Sequence, residues 1–374
     1  MAALATQPSW SEKGRSMDVV VIALSGIGDA LMFSPALRLL RRQYPGAHID
    51  LLSMYRGVKE LYERNSDLNE VLFWDFLHRS PISSLLHLLR LRRRRYDVSI
   101  NVYPQNRLMY NLISFIIGAQ RRLGHDYDHV NIRSLNFVNN FRIREEHRRH
   151  NVEENAKLVE LLGVQLPFDL PPLQVSLKPA DQAEAEEWLQ SKGIQGSQMI
   201  AGFHAGSALF KKHINKRWAP EKFAELGRRL KKEQNAVVLL FGGPEESELK
   251  ERINREMGGA GYVVHVPSLS TVASLIARCN VMVCNDAGLM HIASALHVPV
   301  VSIFAYTNHL RLYPWKTAHR VVRRELECSP CFYYSPSSIH CIWKDNQFRC
   351  ITGIGVDEVW QAVKELQKEV NSKQ

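Results

Sequence analysis

Asp286, Gly288 and His291 sit together between an apolar run at 281–284 and an apolar-rich helical segment that ends at Leu296; a second apolar run begins at Pro299. Strand, turn, helix start and strand is the grammar of a βαβ unit in a parallel sheet. The turn falls at the carboxyl end of a strand, where open α/β sheets bind their ligands. Gly288 lets backbone amides approach a ligand, and the helix N-terminus behind it favours an anion such as a diphosphate. Asp286 and His291 add a carboxylate and an imidazole. The same residues also fit plain structural roles, Asp286 as a helix cap and His291 as a satisfied core histidine, and this stretch alone leaves both readings open.

Further turns offer related chemistry. Ser25-Gly26-Ile27-Gly28-Asp29 follows the apolar run at 18–24 and lifts Asp29 to the rim of a sheet at a helix N-terminus, where it could serve as a cap or as a functional carboxylate. A dinucleotide fingerprint would need a third glycine and an acid after the second strand. Position 31 is leucine and Ser53-Met54-Tyr55 follows the second strand, so a nicotinamide site is disfavoured. In the second half, Ala205-Gly206-Ser207 precedes the basic loop from Lys211 to Trp218, which contains Lys216 and Arg217, and Gly242-Gly243-Pro244-Glu245-Glu246 closes another apolar run. Arginines crowd the first half: Arg92 to Arg95 after a helix, then Arg107, Arg121 and Arg122. Guanidinium forks suit carboxylates and phosphates. The four-arginine run reads as a solvated helix end that could also rest on an anionic membrane surface, whereas Arg121 and Arg122 are placed to face a cleft.

The elements that must position these residues alternate along the chain. Strands are predicted at 18–24, 48–52, 71–74, 98–102, 199–204, 236–241, 262–266 and 281–284 and from 299 onward, with helices at 30–44, 81–90, 106–116, 150–162, 181–191, 220–232, 247–257 and 271–278. The proline-rich stretch at 166–172 ends regular structure and stiffens a connector, which puts a domain boundary there. With 374 residues the chain suits two α/β domains, each with its own core.

Hydrophobic content of 45% and charged content of 23% are those of a globular protein, and no stretch reaches the ~20 apolar residues of a membrane span. Residues 1–16 lack the plan of a secretory signal and read as a disordered lead-in; six cysteines do not suggest a disulfide scaffold, so a cytoplasmic location is expected. A net charge of +10 favours anionic partners, but without a zinc-finger or RRM pattern nucleic acid is not among them.

Four motifs together resemble glycosyltransferase family 9, the heptosyltransferases that add heptose from ADP-heptose to the lipopolysaccharide inner core. They are the Gly-x-Gly-Asp turn with Pro35-Ala36-Leu37-Arg38, the Lys216-Arg217-Trp218 loop, Gly242-Gly243-Pro244-Glu245-Glu246, and Asp286-Ala287-Gly288-Leu289-Met290-His291, spanning roughly residues 18–365. The resemblance implies a GT-B fold: an N-terminal acceptor-binding Rossmann-like domain (17–170) and a C-terminal donor-binding one (171–355) facing across a cleft. The amphipathic C-terminal segment (356–374) would return to the first domain. Two departures stand out. Ala287 replaces the threonine of the family's Asp-Thr-Gly, and the loop between Gly206 and Lys216 is longer.

By this resemblance the chain is an inverting, metal-independent glycosyltransferase that moves a sugar from a nucleotide diphosphate sugar, ADP-heptose in the family, to a lipopolysaccharide core or related acidic glycolipid. Asp29 resembles the catalytic aspartate, the base for the acceptor hydroxyl. Lys216 and the amides of Ala205, Gly206, Ser207, Ala287, Gly288 and Leu289 would stabilise the departing diphosphate. Glu246, or Glu245 with the register moved by one, would hold the donor ribose, and Asp286 and His291 would orient the donor sugar. Gly28, Asp29, Arg121 and Arg122 would bind the acceptor. No cofactor or metal is implied, and the protein is expected to be a monomer that touches the cytoplasmic face of the inner membrane peripherally. A family 9 enzyme with another nucleotide sugar and surface glycan, or a catalytically silent nucleotide- or carbohydrate-binding protein, is the alternative. Cys328, Cys331, Cys341 and Cys350 begin with C-x-x-C, but their wider spacing matches no standard metal template, so they are expected to be buried thiols or a local clamp.

Overall fold

A computed structural model describes residues 16–373 apart from 129–130, 197, 208–209, 334–339, 344 and 346; the lead-in expected at 1–16 thus lies, but for Ser16, outside the described residues. The chain forms two compact units, Met1–Ser176 and Leu177–Gln374. The boundary falls six residues past the expected 170/171, because the chain after the prolines stays with the first unit: Gln174 accepts from Arg38 at 3.0 Å and its amide donates to Ser34 Oγ at 2.9 Å.

The first unit holds β1 (Asp18–Ala23), β2 (His48–Ser53), β3 (Glu70–Phe73), β4 (Val98–Asn101), β5 (Arg121–Asp126) and β6 (Phe141–Arg144), in the order β3-β2-β1-β4-β5-β6. The second holds β7 (Ile200–His204), β8 (Val237–Leu240), β9 (Tyr262–Val263), β10 (Val281–Asn285), β11 (Val300–Phe304) and β12 (His319–Arg323), in the order β12-β11-β10-β7-β8-β9. Every neighbouring pair is parallel. The wiring is the same in both units, with the strand order reversing beside β1 and beside β7, as in the Rossmann fold. The central strands read as unbroken apolar runs because helices cover both faces: β7, β10 and β11 are buried throughout.

All nine predicted strands are present. The three that sequence patterning missed, β5, β6 and β12, are arginine- and histidine-bearing segments (RRLGHD, FRIR, HRVVR), and two of them are sheet edges, where polar side chains protect an unpaired rim. The helix predicted over 30–44 is two, Ile27–Leu31 and Ser34–Gln43, the second opening with Pro35 in its first turn.

The C-terminal helix, Val356–Asn371, is buried within the second unit. It packs on β11, β12 and the Pro220–Gln234 helix of its own unit, and Val359, Trp360, Val363 and Leu366 join that unit's core. Amphipathic spacing says that one face must be buried and is silent about the surface that buries it.

Candidate functional site

The second unit gathers its polar side chains where β7 and β10 lie side by side, the point at which its strand order reverses and a crevice opens beyond the strand ends. Asn285, the last residue of β10, ties the neighbouring segments together. Its Nδ2 donates to the Ala205 carbonyl at 2.7 Å, and its Oδ1 accepts from the Trp218 amide at 3.0 Å. These two bonds hold the turn after β7 against the basic loop. Next in sequence, Asp286 accepts from Lys216 Nζ at 2.9 Å, with side-chain exposures of 6% and 11%. Asp286 does not cap the following helix Gly288–Ala295: the N-cap is Ala287, which makes no side-chain cap bond. The helix therefore offers its first amides beside a lysine.

A second buried cluster lies under the same turn. Glu246 accepts from Arg217 at 3.1 Å, from the Gly243 amide at 3.2 Å, and pairs with His204 Nε2 at 3.2 Å. Arg217 also donates to the Ser207 carbonyl at 2.6 Å. Gly206 allows this: a Cβ there would stand 1.7 Å from a Glu246 oxygen, so any other residue would collide with the carboxylate. Glu246 is thus the anchor of the loop, and Glu245, exposed one residue earlier, is the carboxylate open to solvent.

Burial works against ionisation of both Asp286 and Glu246. It is outweighed by Lys216 beside Asp286, and by His204, Arg217 and the Gly243 amide beside Glu246, so both carboxyls sit below their usual range. His291 is buried and pushed down to about 4, first by that burial and then by Lys216, with Asp286 opposing. It is a neutral imidazole at pH 7, and its Nδ1 finds no hydrogen-bond partner among the described residues.

In the first unit, Asp29 lies half-buried in the helix that follows β1, beside the corresponding reversal between β1 and β4. It is the third helical residue; the N-cap is Gly26. Tyr55 and Tyr110 surround it. Burial raises both phenols, Tyr110 to about 12, with Arg107 lowering them and the Asp29 carboxylate raising them, so the four groups share one field. Arg107 lies 5.4 Å over the Tyr110 ring. Tyr55 follows β2 and Arg107 and Tyr110 follow β4, all at strand carboxyl ends; that position was the signal in the sequence that could have found them.

Arg121 and Arg122 do not join this group. They open β5, with Arg121 opposite Val98 at the amino end of β4, at the other end of the strands from Asp29. Arg122 donates to the carbonyls of Val138 and Ala119, both at 2.7 Å, and Arg121 lies over the Phe141 ring. Arginine count alone could not tell the two ends of a strand apart.

The profile of Glycosyltransferase family 9 (heptosyltransferase) matches residues 85–340. Lipooligosaccharide heptosyltransferase 2 of Haemophilus influenzae is 26% identical over 317 residues, which cover 82% of this chain and 88% of that one. Lipopolysaccharide heptosyltransferase 2 of Escherichia coli K12 is 26% identical over 322 residues, with the same coverage. The structure of a glycosyl transferase family 9 protein from Veillonella parvula superposes with a TM-score of 0.76 at 22% identity, covering 94% of this chain and 97% of that one, a likeness of fold.

The site geometry makes His291 a source of pH dependence. A buried imidazole held near 4 that rises to 6.5 on unfolding binds its proton preferentially in the unfolded chain between those values. Its contribution to stability is full above pH 6.5 and is lost as the pH falls towards 4, an interval worth roughly 3 kcal/mol. Chemical denaturation should therefore show stability falling from pH 7 to pH 4.5, with a shallower fall in His291→Gln. Equal slopes in the two proteins would remove His291 from the account.

Proposed function

The chain belongs to glycosyltransferase family 9, and on that premise we propose that it transfers heptose from ADP-heptose to the lipopolysaccharide core or a related acidic glycolipid, with inversion at the anomeric carbon. The observation that carries this reading is the Lys216–Asp286 pair at the β7/β10 reversal, under the first turn of the Gly288–Ala295 helix. A diphosphate leaving group gathers negative charge as the glycosidic bond breaks. Lys216, held in place by Asp286, supplies a cation for it, and the amides of Ala205, Gly206, Ala287, Gly288 and Leu289 supply hydrogen bonds. Relatives named as lipopolysaccharide heptosyltransferases make ADP-heptose the first donor to try. Glu246 positions the loop, and the exposed Glu245 is the carboxylate available to the donor's hydroxyls.

On the first unit, Asp29 is the base that takes the acceptor hydroxyl's proton, and Arg107 is the cation that binds the acceptor's acidic groups, in place of Arg121 and Arg122. Inverting attack needs one base on the acceptor side and none on the leaving-group side, which suits a single ionised carboxylate at a helix N-terminus.

The acceptor's lipid gives a reason for membrane contact, and one surface fits it. On the helix Pro81–Arg92, Ile82, Leu85, Leu86 and Leu89 recur at helical spacing and are all exposed, while Leu88 and Leu91 face inward. The helix Leu108–Ile117 packs beside it and exposes Met109 and Phe115. Arg90, Arg93 and Arg95 flank this apolar strip, the combination that settles a helix onto an anionic bilayer. No helix of the described residues is long and apolar enough to cross a membrane.

Three outcomes test this reading. Lys216→Ala, made together with Asp286→Asn so that no buried charge is left alone, should weaken ADP binding by about 1–3 kcal/mol in calorimetry; unchanged affinity would move the diphosphate site elsewhere. Vesicles containing anionic phospholipid should capture the protein, and Ile82→Glu with Leu86→Glu should cut that capture about tenfold or more, while equal capture by the variant would return the strip to an ordinary surface. Asp29→Asn should keep donor binding yet lose roughly 10²–10⁴-fold in turnover. Near-normal turnover would reduce Asp29 to a helix-stabilising residue.

A further inference from the structure

Cys328, Cys331, Cys341 and Cys350 come from separate points of a long segment, spaced by two, nine and eight residues. All four line one small cavity, together with Tyr306, Trp343 and Phe348. None of them is in a disulfide. The segment itself needs a cross-link, because among the described residues it has no helix or strand between Arg323 and Arg349. A loop of that length inside a compact unit is held by something other than its own backbone.

We propose that Cys328, Cys331, Cys341 and Cys350 form a tetrathiolate site for one thiophilic metal ion of the zinc or iron kind. A leading C-x-x-C supplies two ligands from one turn, and four sulfurs in tetrahedral array select these ions over oxygen-seeking ones. On binding, each thiol gives its proton to solvent and four metal–sulfur bonds form, with no change of oxidation state. No three of the described sulfurs stand within 4.8 Å of one another, so binding draws the thiols inward across the cavity. The proposal goes beyond the expectation, from spacing alone, of buried thiols or a local clamp: spacing in sequence does not show that the four cysteines line one cavity.

The site is a clamp for the loop beside the β7/β10 reversal. The Cys331 and Phe332 amides donate to the Tyr306 carbonyl at 3.1 and 3.2 Å, just past the end of β11. The Tyr306 hydroxyl lies 3.2 Å from His213 Nδ1, and the His213 carbonyl accepts from Ser207 at 2.8 Å. Metal-held cysteines would thus fix Tyr306, and through it the loop that carries Lys216. None of this depends on which sugar is transferred.

Full-length protein, purified without chelator from cells supplied with both metals, should carry about one zinc or iron ion per chain by plasma mass spectrometry. Iron bound to four thiolates colours the protein and zinc does not, so absorbance tells which ion is present. Cys331→Ser and Cys350→Ser should each lower the metal content about tenfold or more, while Cys279→Ser, in the buried core, keeps it. If the serine variants fail to fold, the unaltered protein decides: with chelator and mild denaturant, four thiols should become reactive in step with metal release. A metal-free chain whose four thiols react at once, or two disulfides among them, overturns the proposal.

Discussion

Two charges with little water around them, on Lys216 and Asp286, set the terms for the rest of the second unit. Each would be costly alone in a buried place, and their attraction offsets that cost only while the geometry holds. The structure accordingly invests in geometry around them. Asn285 joins the turn after β7 to the residue that follows Arg217, and the Arg217–Glu246–His204 group braces the same turn from below. Side-chain ion pairs and backbone bonds here form one connected frame, so the cation is aimed before any ligand arrives. Dipoles and charges fixed in advance stabilise developing charge without the cost of reorganising.

Repetition of one wiring in both units explains why the functional groups are where they are. A parallel sheet points all its carboxyl ends one way, and the reversal of strand order leaves a gap between two neighbouring turns. In the second unit the gap is furnished with a cation and helix amides; in the first it is furnished with Asp29, two tyrosines and Arg107. The same backbone device thus holds a carboxylate and a cation in both halves of one chain, the carboxylate paired with a lysine in one and set among two tyrosines and an arginine in the other.

Much of this could be read from the sequence. Unbroken apolar runs mark the buried strands, and the small or acidic residues after them mark the segments at the strands' carboxyl ends, where Asp29, Gly206, Glu246, Asp286 and Gly288 lie. What sequence could not resolve was side-chain destination. Glu246 and Glu245 are adjacent, yet one is consumed by Arg217 and His204 while the other is exposed. Arg121 and Arg107 are both arginines in the first unit, but only a strand register shows that Arg121 lies at the amino end of the strands, opposite the end that Arg107 follows. The apolar stripe of the C-terminal helix likewise does not name the surface that buries it. The three missed strands were hidden by their arginines and histidines, at the sheet edges in β6 and β12 and, in β5, with His125 buried beside Glu154.

Trp218 carries one more consequence. Its indole Nε1 donates to the Ile354 carbonyl at 3.0 Å, and Lys222 Nζ reaches the same carbonyl at 2.6 Å, immediately before the C-terminal helix begins. The amide of that same tryptophan is the one bound by Asn285, two residues along from Lys216. The tail of the chain is therefore hydrogen-bonded to the loop that carries the site's lysine, although more than 130 residues of sequence separate them. A nascent chain lacks this support until the segment bearing Ile354 has emerged from the ribosome, so the lysine loop cannot take its final form while that distant segment is still missing.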